Sequence, residues 1–217
     1  MNTKIIKSLD YLYQIYEYRL KKIRLIWCTQ VLKLIDKEFL KNYSLNDFGC
    51  NYFQFYKEIK LSKKTKKIDY FGLDRDIRAV KIGLKKFPSL KHSYKICNIE
   101  NHKPSIKDVS IISATLEHSN NPKKIINNML NSTKKLIVMR TFVGQENLCK
   151  TFNNKKKFPF KVKIRQFSKK TLTNIFARKN FKIKFLKDKA TKNSKSYLVN
   201  GEKEFRRKMQ IVIGIKK

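Results

Sequence analysis

Acidic residues are scarce in this chain. Asp and Glu together number 16 against 52 Lys and Arg, leaving a formal net charge of +36. Arginine is scarce as well, with 9 Arg beside 43 Lys. A charge of this size attracts nucleic acid or acidic membrane surfaces. Arginine, however, is the side chain suited to bidentate recognition of phosphates and bases, and its shortage weakens that reading. Lys, Asn and Ile, all abundant here, share A/T-rich codons, so compositional drift would produce the same charge without any partner. The excess is uneven: residues 151–217 carry 22 Lys/Arg against 3 Asp/Glu, and residues 1–150 carry 30 against 13. A basic C-terminal third could face an anionic partner, although exposed lysines on ordinary surface would look the same.

Other absences exclude whole classes. Cys28, Cys50, Cys97 and Cys149 include no C-x-x-C pair, so neither zinc-site nor redox spacing is present, and a reducing cytoplasm fits. No run of about 18 apolar residues exists to cross a bilayer, and the N-terminus lacks the apolar region of a signal peptide. What is present is enough apolar matter, 41% hydrophobic and 12% aromatic over 217 residues, to build one globular domain.

Apolar residues at Ile5, Leu9, Leu12, Tyr16, Leu20, Ile23 and Trp27, then Val31, Leu34, Ile35 and Phe39, recur at three and four, predicting one long or two shorter amphipathic helices over residues 4–40. Such a stripe packs on its own domain more often than on a membrane surface. From Tyr43 onward short apolar strands alternate with helical stretches, as in a parallel α/β sheet. The predicted strands are Tyr43–Phe48, Ile68–Leu73, Ser93–Cys97, Val109–Ala114 and Lys135–Thr141; the intervening helices are Phe53–Ile59, Arg75–Lys86 and Pro122–Leu130. Residues 144–160 read as an irregular insertion. Ser168 reads as the N-cap of a helix ending near Asn180, and Phe181–Lys187 with Arg206–Ile215 as a terminal antiparallel pair. The lysine-rich stretches 63–67 and 187–195 read as exposed loops.

Chemistry-bearing residues gather where the predicted strands end. Asp47 and Gly49 close the first strand just before a helix, where open α/β sheets bind ligands. Asp74 ends the second strand, where a carboxylate can accept from both hydroxyls of a ribose; it can equally cap the following helix. The fourth strand runs into Thr115-Leu116-Glu117-His118.

These motifs together resemble the class I, Rossmann-like S-adenosylmethionine-dependent methyltransferases. Asp47-x-Gly49-Cys50 is similar to their first motif, Gly72-x-Asp74 to their second-strand acid and Leu116-Glu117-His118 to the segment after their fourth strand. The similarity spans Tyr43 to Phe142, and the later elements follow in the family's order. It implies a mostly parallel seven-stranded sheet with helices on both faces, an antiparallel C-terminal pair, a helical extension over 1–41 and a methyltransferase domain over 42–217. It also implies S-adenosylmethionine as cofactor. By that resemblance Asp47, Gly49, Cys50 and Asn51 line its methionine portion, Asp74 holds its ribose, Asn98 and Ile99 meet its adenine, and Thr115 lies beside it.

His118 and Glu117 are the candidate acid/base residues, with loop shaping as their alternative role. Some ubiquinone-pathway O-methyltransferases bind a divalent metal with an additional Glu, but the corresponding residue here is Ala114, so no metal is expected. The family's G-x-G-x-G is represented by Gly49-Cys50-Asn51-Tyr52-Phe53. Asn tolerates positive φ, whereas the Phe53 ring is expected to narrow the cofactor pocket. The expected activity is methyl transfer to an oxygen, or a nitrogen, of a small molecule such as a sugar or glycan precursor, with anionic acceptors among the candidates. The alternatives are an RNA methyltransferase, motivated by the basic C-terminal third, and a non-catalytic protein on a decayed fold, motivated by Phe53.

Overall fold

The computed structural model describes residues 13–21, 24–62, 67–153, 161–194, 197–199 and 202–217. The N-terminal stripe forms two helices, α1 over residues 13–21 and α2 over Ile26–Glu38, with Ile5, Leu9, Leu12 and Ile23 outside the described residues. There follow β1 (Tyr43–Phe48), α3 (Gln54–Leu61), β2 (Ile68–Asp74), α4 (Ile77–Lys86), β3 (Tyr94–Ile96), β4 (Lys107–Ser113), α5 (Pro122–Asn131) and β5 (Thr133–Gly144). The chain continues through β6 (Leu148–Asn153), β7 (Lys161–Ser168), α6 (Lys169–Ala177), β8 (Phe181–Lys187), β9 (Tyr197–Val199), β10 (Glu202–Arg207) and β11 (Met209–Lys216).

The main sheet has the order β3-β2-β1-β4-β5-β11-β8. Its first five strands run parallel, and β11 is antiparallel to both β5 and β8. Strand order therefore reverses between β1 and β4, and at such a switch point the carboxyl ends of the strands leave a crevice.

Period-two alternation places two cores, one on each face. On β5, Leu136 and Val138 pack with Cys28, Val31 and Ile35 of α2 and Phe55 of α3, while Ile137 and Met139 pack with Ile125 and Met129 of α5 and Phe176 of α6. Strands covered on both faces read as continuous apolar runs rather than alternating ones, as the sequence of β5 does.

The starts of α5 and α6 follow their capping residues. Asn121 accepts from the Lys124 amide with Pro122 at the first helical position, and the Ser168 hydroxyl accepts from the Thr171 amide.

Two expectations need correction. The insertion is not wholly irregular: β6 and β7 form an antiparallel hairpin, and β7 joins the end of β5 through Val143–Phe167 and Gly144–Ser168, raising the sheet to nine strands. Its basic, weakly alternating sequence hid the strands. The loop predicted at 187–195 includes a short 3-10 turn, Lys189–Thr191, and is followed by a separate β9–β10 pair. Residues 63–66 lie outside the described residues.

Candidate functional site

The β1–α3 turn is left-handed three times, at Gly49 (φ 76°), Asn51 (φ 50°) and Phe53 (φ 59°). Two of these three positions carry side chains that rarely adopt this conformation. Gly49 and Cys50 donate to the Leu73 carbonyl at 2.7 and 3.1 Å, tying the turn to the end of β2. At Gly49 the fit is tight, because a Cβ would come within 2.6 Å of the Thr115 hydroxyl.

Phe53 does not narrow the pocket. Its side chain is fully buried beneath the turn, between Gly72 on β2 and Gly83 on α4, with Tyr70 and Tyr94 edge-on at 6.3 Å each. A Cβ at Gly72 or Gly83 would lie 2.8 or 2.6 Å from the ring. Two glycines opposite therefore make the room that the ring requires, and the buried aromatic offsets the cost of about 1–2 kcal/mol for a left-handed bulky residue.

Asp74 stands beside this turn. Its carboxylate accepts from the Asn51 amide at 2.8 Å and the Asp76 amide at 2.9 Å, so it clasps the β1–α3 and β2–α4 turns together. Its pKa is raised by burial and lowered by those amides. The expected helix-capping alternative falls to its neighbour: Asp76 caps α4, accepting from the Arg78 and Ala79 amides.

Asp47 lies on the adjacent strand, where its backbone pairs with Gly72. Its carboxyl accepts from the Tyr70 hydroxyl at 2.7 Å. Burial pushes it up to about 7 against the lowering effect of that bond.

After β3, the Asn98 side-chain oxygen accepts from the Glu100 amide at 3.0 Å. Asn128 on α5 fixes the same loop, donating to the carbonyls of Ile99, Glu100 and His102 at 3.0–3.1 Å.

His118 closes a short 3-10 turn beyond β4. Its Nδ1 lies 3.0 Å from the Lys163 carbonyl on β7. A carbonyl only accepts, so Nδ1 carries a proton, and of the two neutral tautomers this contact selects the one whose lone pair lies on Nε2. Arg165 of the same strand donates to the Ser119 and Asn120 carbonyls at 2.8 and 3.1 Å, bracing the loop from outside.

Glu117 points the other way. It is buried against the Thr141 hydroxyl (3.2 Å) and does not line the cavity; burial raises its pKa, while His118 lowers it.

Asp47, Gly49, Cys50, Asn51, Asp74, Asn98, Ile99, Thr115 and His118 all line one cavity of about 320 Å³, a size within the range of small-molecule sites. Sequence reasoning missed its other wall. Tyr13 and Tyr16 of α1, Trp27 of α2, Gln54 of α3 and Arg140 of β5 also line it. The Tyr13 hydroxyl reaches the Asp76 carboxylate at 3.0 Å, so α1 lies across the turns. Of these, only Arg140 left a readable signal, a single charge after four buried apolar residues on one strand.

The fold is that of solved S-adenosylmethionine-dependent methyltransferases. Solved structures with the same fold include magnesium protoporphyrin IX methyltransferase (ChlM) from Synechocystis PCC 6803 with bound SAH, at 14% identity and a TM-score of 0.58 over 87% of this chain and 80% of that one. An S-adenosylmethionine-dependent methyltransferase from Clostridium acetobutylicum ATCC 824 matches at 10% identity and a TM-score of 0.64, covering 96% and 99%. Streptomyces venezuelae DesVI matches at 9% and 0.62, covering 94% and 97%. The chain belongs to the family described as methionine biosynthesis protein MetW, whose model matches residues 32–199. No curated protein sequence matches significantly.

Proposed function

We propose that this chain is an S-adenosylmethionine-dependent methyltransferase acting on an oxygen, or a nitrogen, of a small molecule. One juxtaposition carries the proposal: a left-handed turn, the Asp74 carboxylate and an Nε2-basic His118 line a single cavity. ChlM was solved with bound SAH or SAM, and EvdMO1 with SAH and D-fucose. The residues here fit the same cofactor. Asp74 keeps acceptor capacity for ribose hydroxyls beyond its two amide bonds, the turn Gly49–Asn51 brings backbone close to a ligand, and Asn98 and Ile99 offer an edge and an apolar face to a base.

When bound, the cofactor supplies an electrophilic methyl group on a sulfonium. With the cofactor bound, His118 would take the proton of an acceptor hydroxyl on Nε2, leaving the oxygen able to receive the methyl group. The Lys163 carbonyl, holding Nδ1–H, stabilises the imidazolium that results. Glu117, away from the cavity, serves this reaction only by shaping the loop.

Calorimetric titration with S-adenosylmethionine tests the binding half. Micromolar affinity is expected, falling at least tenfold in Asp74→Asn and further in Asp74→Ala; an unchanged titration in both variants defeats the assignment. Transfer of labelled methyl to sugar nucleotides and phenols tests the other half. There His118→Asn is expected to lower kcat by about 10²–10⁴ while leaving cofactor affinity intact. Methylation confined to structured RNA would overturn the small-molecule assignment.

A further inference from the structure

The acids of the cavity lie on the β1–β3 side, and its β5 end is built from different chemistry. Arg140 follows the buried run Leu136–Met139 and pairs in register with Ser113, the last residue of β4, so it stands level with the carboxyl end of β4. Between β2, which carries Asp74, and β5 lie β1 and β4. Three strand spacings put the two residues roughly 14 Å apart across the sheet.

The Arg140 side chain is only 11% exposed, and its donor capacity is poorly used. Nη2 donates to the fully buried Asp188 carboxylate at 2.9 Å, whereas Nε is buried without a hydrogen-bond partner among the described residues. A guanidinium offers five N–H donors in a planar fork, and a buried donor left without an acceptor is destabilising. An arginine kept only to neutralise an aspartate would be expected to engage it bidentately. Here Asp188 also accepts from the Thr191 hydroxyl at 2.9 Å and the Ala190 amide at 3.3 Å. The aspartate holds one corner of the guanidinium from behind and leaves the rest for another acceptor.

A second underused donor lines the same cavity. Gln54 Nε2, at the start of α3, is likewise buried without a hydrogen-bond partner among the described residues. Trp27 joins the two positions: it lies 6.0 Å from the Arg140 guanidinium and stacks at 6.1 Å on Phe55, the residue after Gln54. The Cys28 thiol, next to Trp27, approaches the Gln54 carbonyl at 3.8 Å. Two buried donors and an indole wall therefore converge where α2, α3 and β5 meet.

We infer that this end of the cavity binds a carboxylate or phosphate carried by the methyl acceptor, with Arg140 as its bidentate anchor and Gln54 as a second donor. The inference rests on the methyl-transfer reading for the word acceptor; the anion site itself does not. A planar carboxylate or a phosphate face accepts two parallel N–H bonds from a guanidinium, and the indole excludes water from the pair. The cofactor's own carboxylate is the rival source of the same chemistry, and the experiment separates the two.

Calorimetry on the full chain, with and without saturating S-adenosylhomocysteine, uses succinate and inorganic phosphate as probes. The expected result is that one of them binds the S-adenosylhomocysteine complex. Its affinity falls at least tenfold in Arg140→Gln and about threefold in Gln54→Leu, with S-adenosylhomocysteine affinity within twofold of wild type. Because Arg140→Gln leaves Asp188 buried and unpaired, Arg140→Lys and the double variant Arg140→Gln/Asp188→Asn are measured beside it, and loss of anion binding in either supports the inference. Two results overturn it: neither probe binds the wild-type complex, or the Arg140 variants lose S-adenosylhomocysteine affinity tenfold, which assigns the arginine to the cofactor. Failure of wild type to bind S-adenosylhomocysteine at all is instead the failure of the methyltransferase reading. The titration of the anions alone then decides the anion site.

Discussion

Gly83 has no side chain because Phe53 already occupies that space. Alanine there would gain up to about 1 kcal/mol of helix propensity, but its Cβ would meet the Phe53 ring at 2.6 Å and the Tyr52 carbonyl carbon at 3.0 Å. Overpacking of this kind costs about 1–3 kcal/mol, so Gly83→Ala is expected to lower stability by about 1 kcal/mol in denaturant titration. Phe53→Leu should recover part of that loss in a double-mutant cycle, and strict additivity would show that the ring and the glycine do not meet. Asp47 yields a second expectation at this scale. Burial holds its carboxyl near 7, so the charged form that attracts a cationic ligand becomes populated as pH rises. Affinity for S-adenosylmethionine should therefore increase by up to about tenfold between pH 6 and pH 8 and stay level in Asp47→Asn. A level wild-type profile would remove Asp47 from the ligand's surroundings.

Among the elements, the β6–β7 hairpin does the most that its sequence does not advertise. Among the described residues it contributes one backbone carbonyl, that of Lys163, and one arginine to the site, yet it sets the tautomer of His118 and braces the loop behind it. Arg165→Ala removes the brace without touching the cavity. It should cut kcat about tenfold with little change in cofactor affinity or melting temperature, since small misplacements of a reacting group are expensive. A fall in affinity instead would mean that the loop belongs to the cofactor's end. The β1–β5 alternation was legible because buried parallel strands are apolar on both faces, and the acids at Asp47 and Asp74 were legible because they end such runs. The hairpin was not, and α1, although its helical periodicity was legible, gave no sign that it walls the site. Their contributions come through a carbonyl and through aromatics such as Tyr13 and Tyr16, whose spacing is that of any helix packed on its own core.

Taken whole, the molecule sets a strongly basic surface around a cavity whose walls include four acids, Asp47, Asp74, Asp76 and Glu100. Surface charge and site chemistry are separable by salt. Any association with nucleic acid should weaken steeply between about 50 and 200 mM salt through counterion release, while methyl transfer to a small acceptor should change less than about twofold. Parallel decline of both would tie turnover to the polyanion. The fold was readable from order and periodicity, but the β5 end of the site was not, because Trp27, Gln54 and Arg140 come from three distant segments that meet only after folding. The ring at the end of the β1–α3 turn anchors the loop in the interior. A glycine there would let the loop sample many shapes until a ligand chose one, whereas an aromatic seated in the interior dictates its shape in advance. Amide hydrogen exchange across residues 49–53 should accordingly be slow before any ligand is added and hardly slower afterwards.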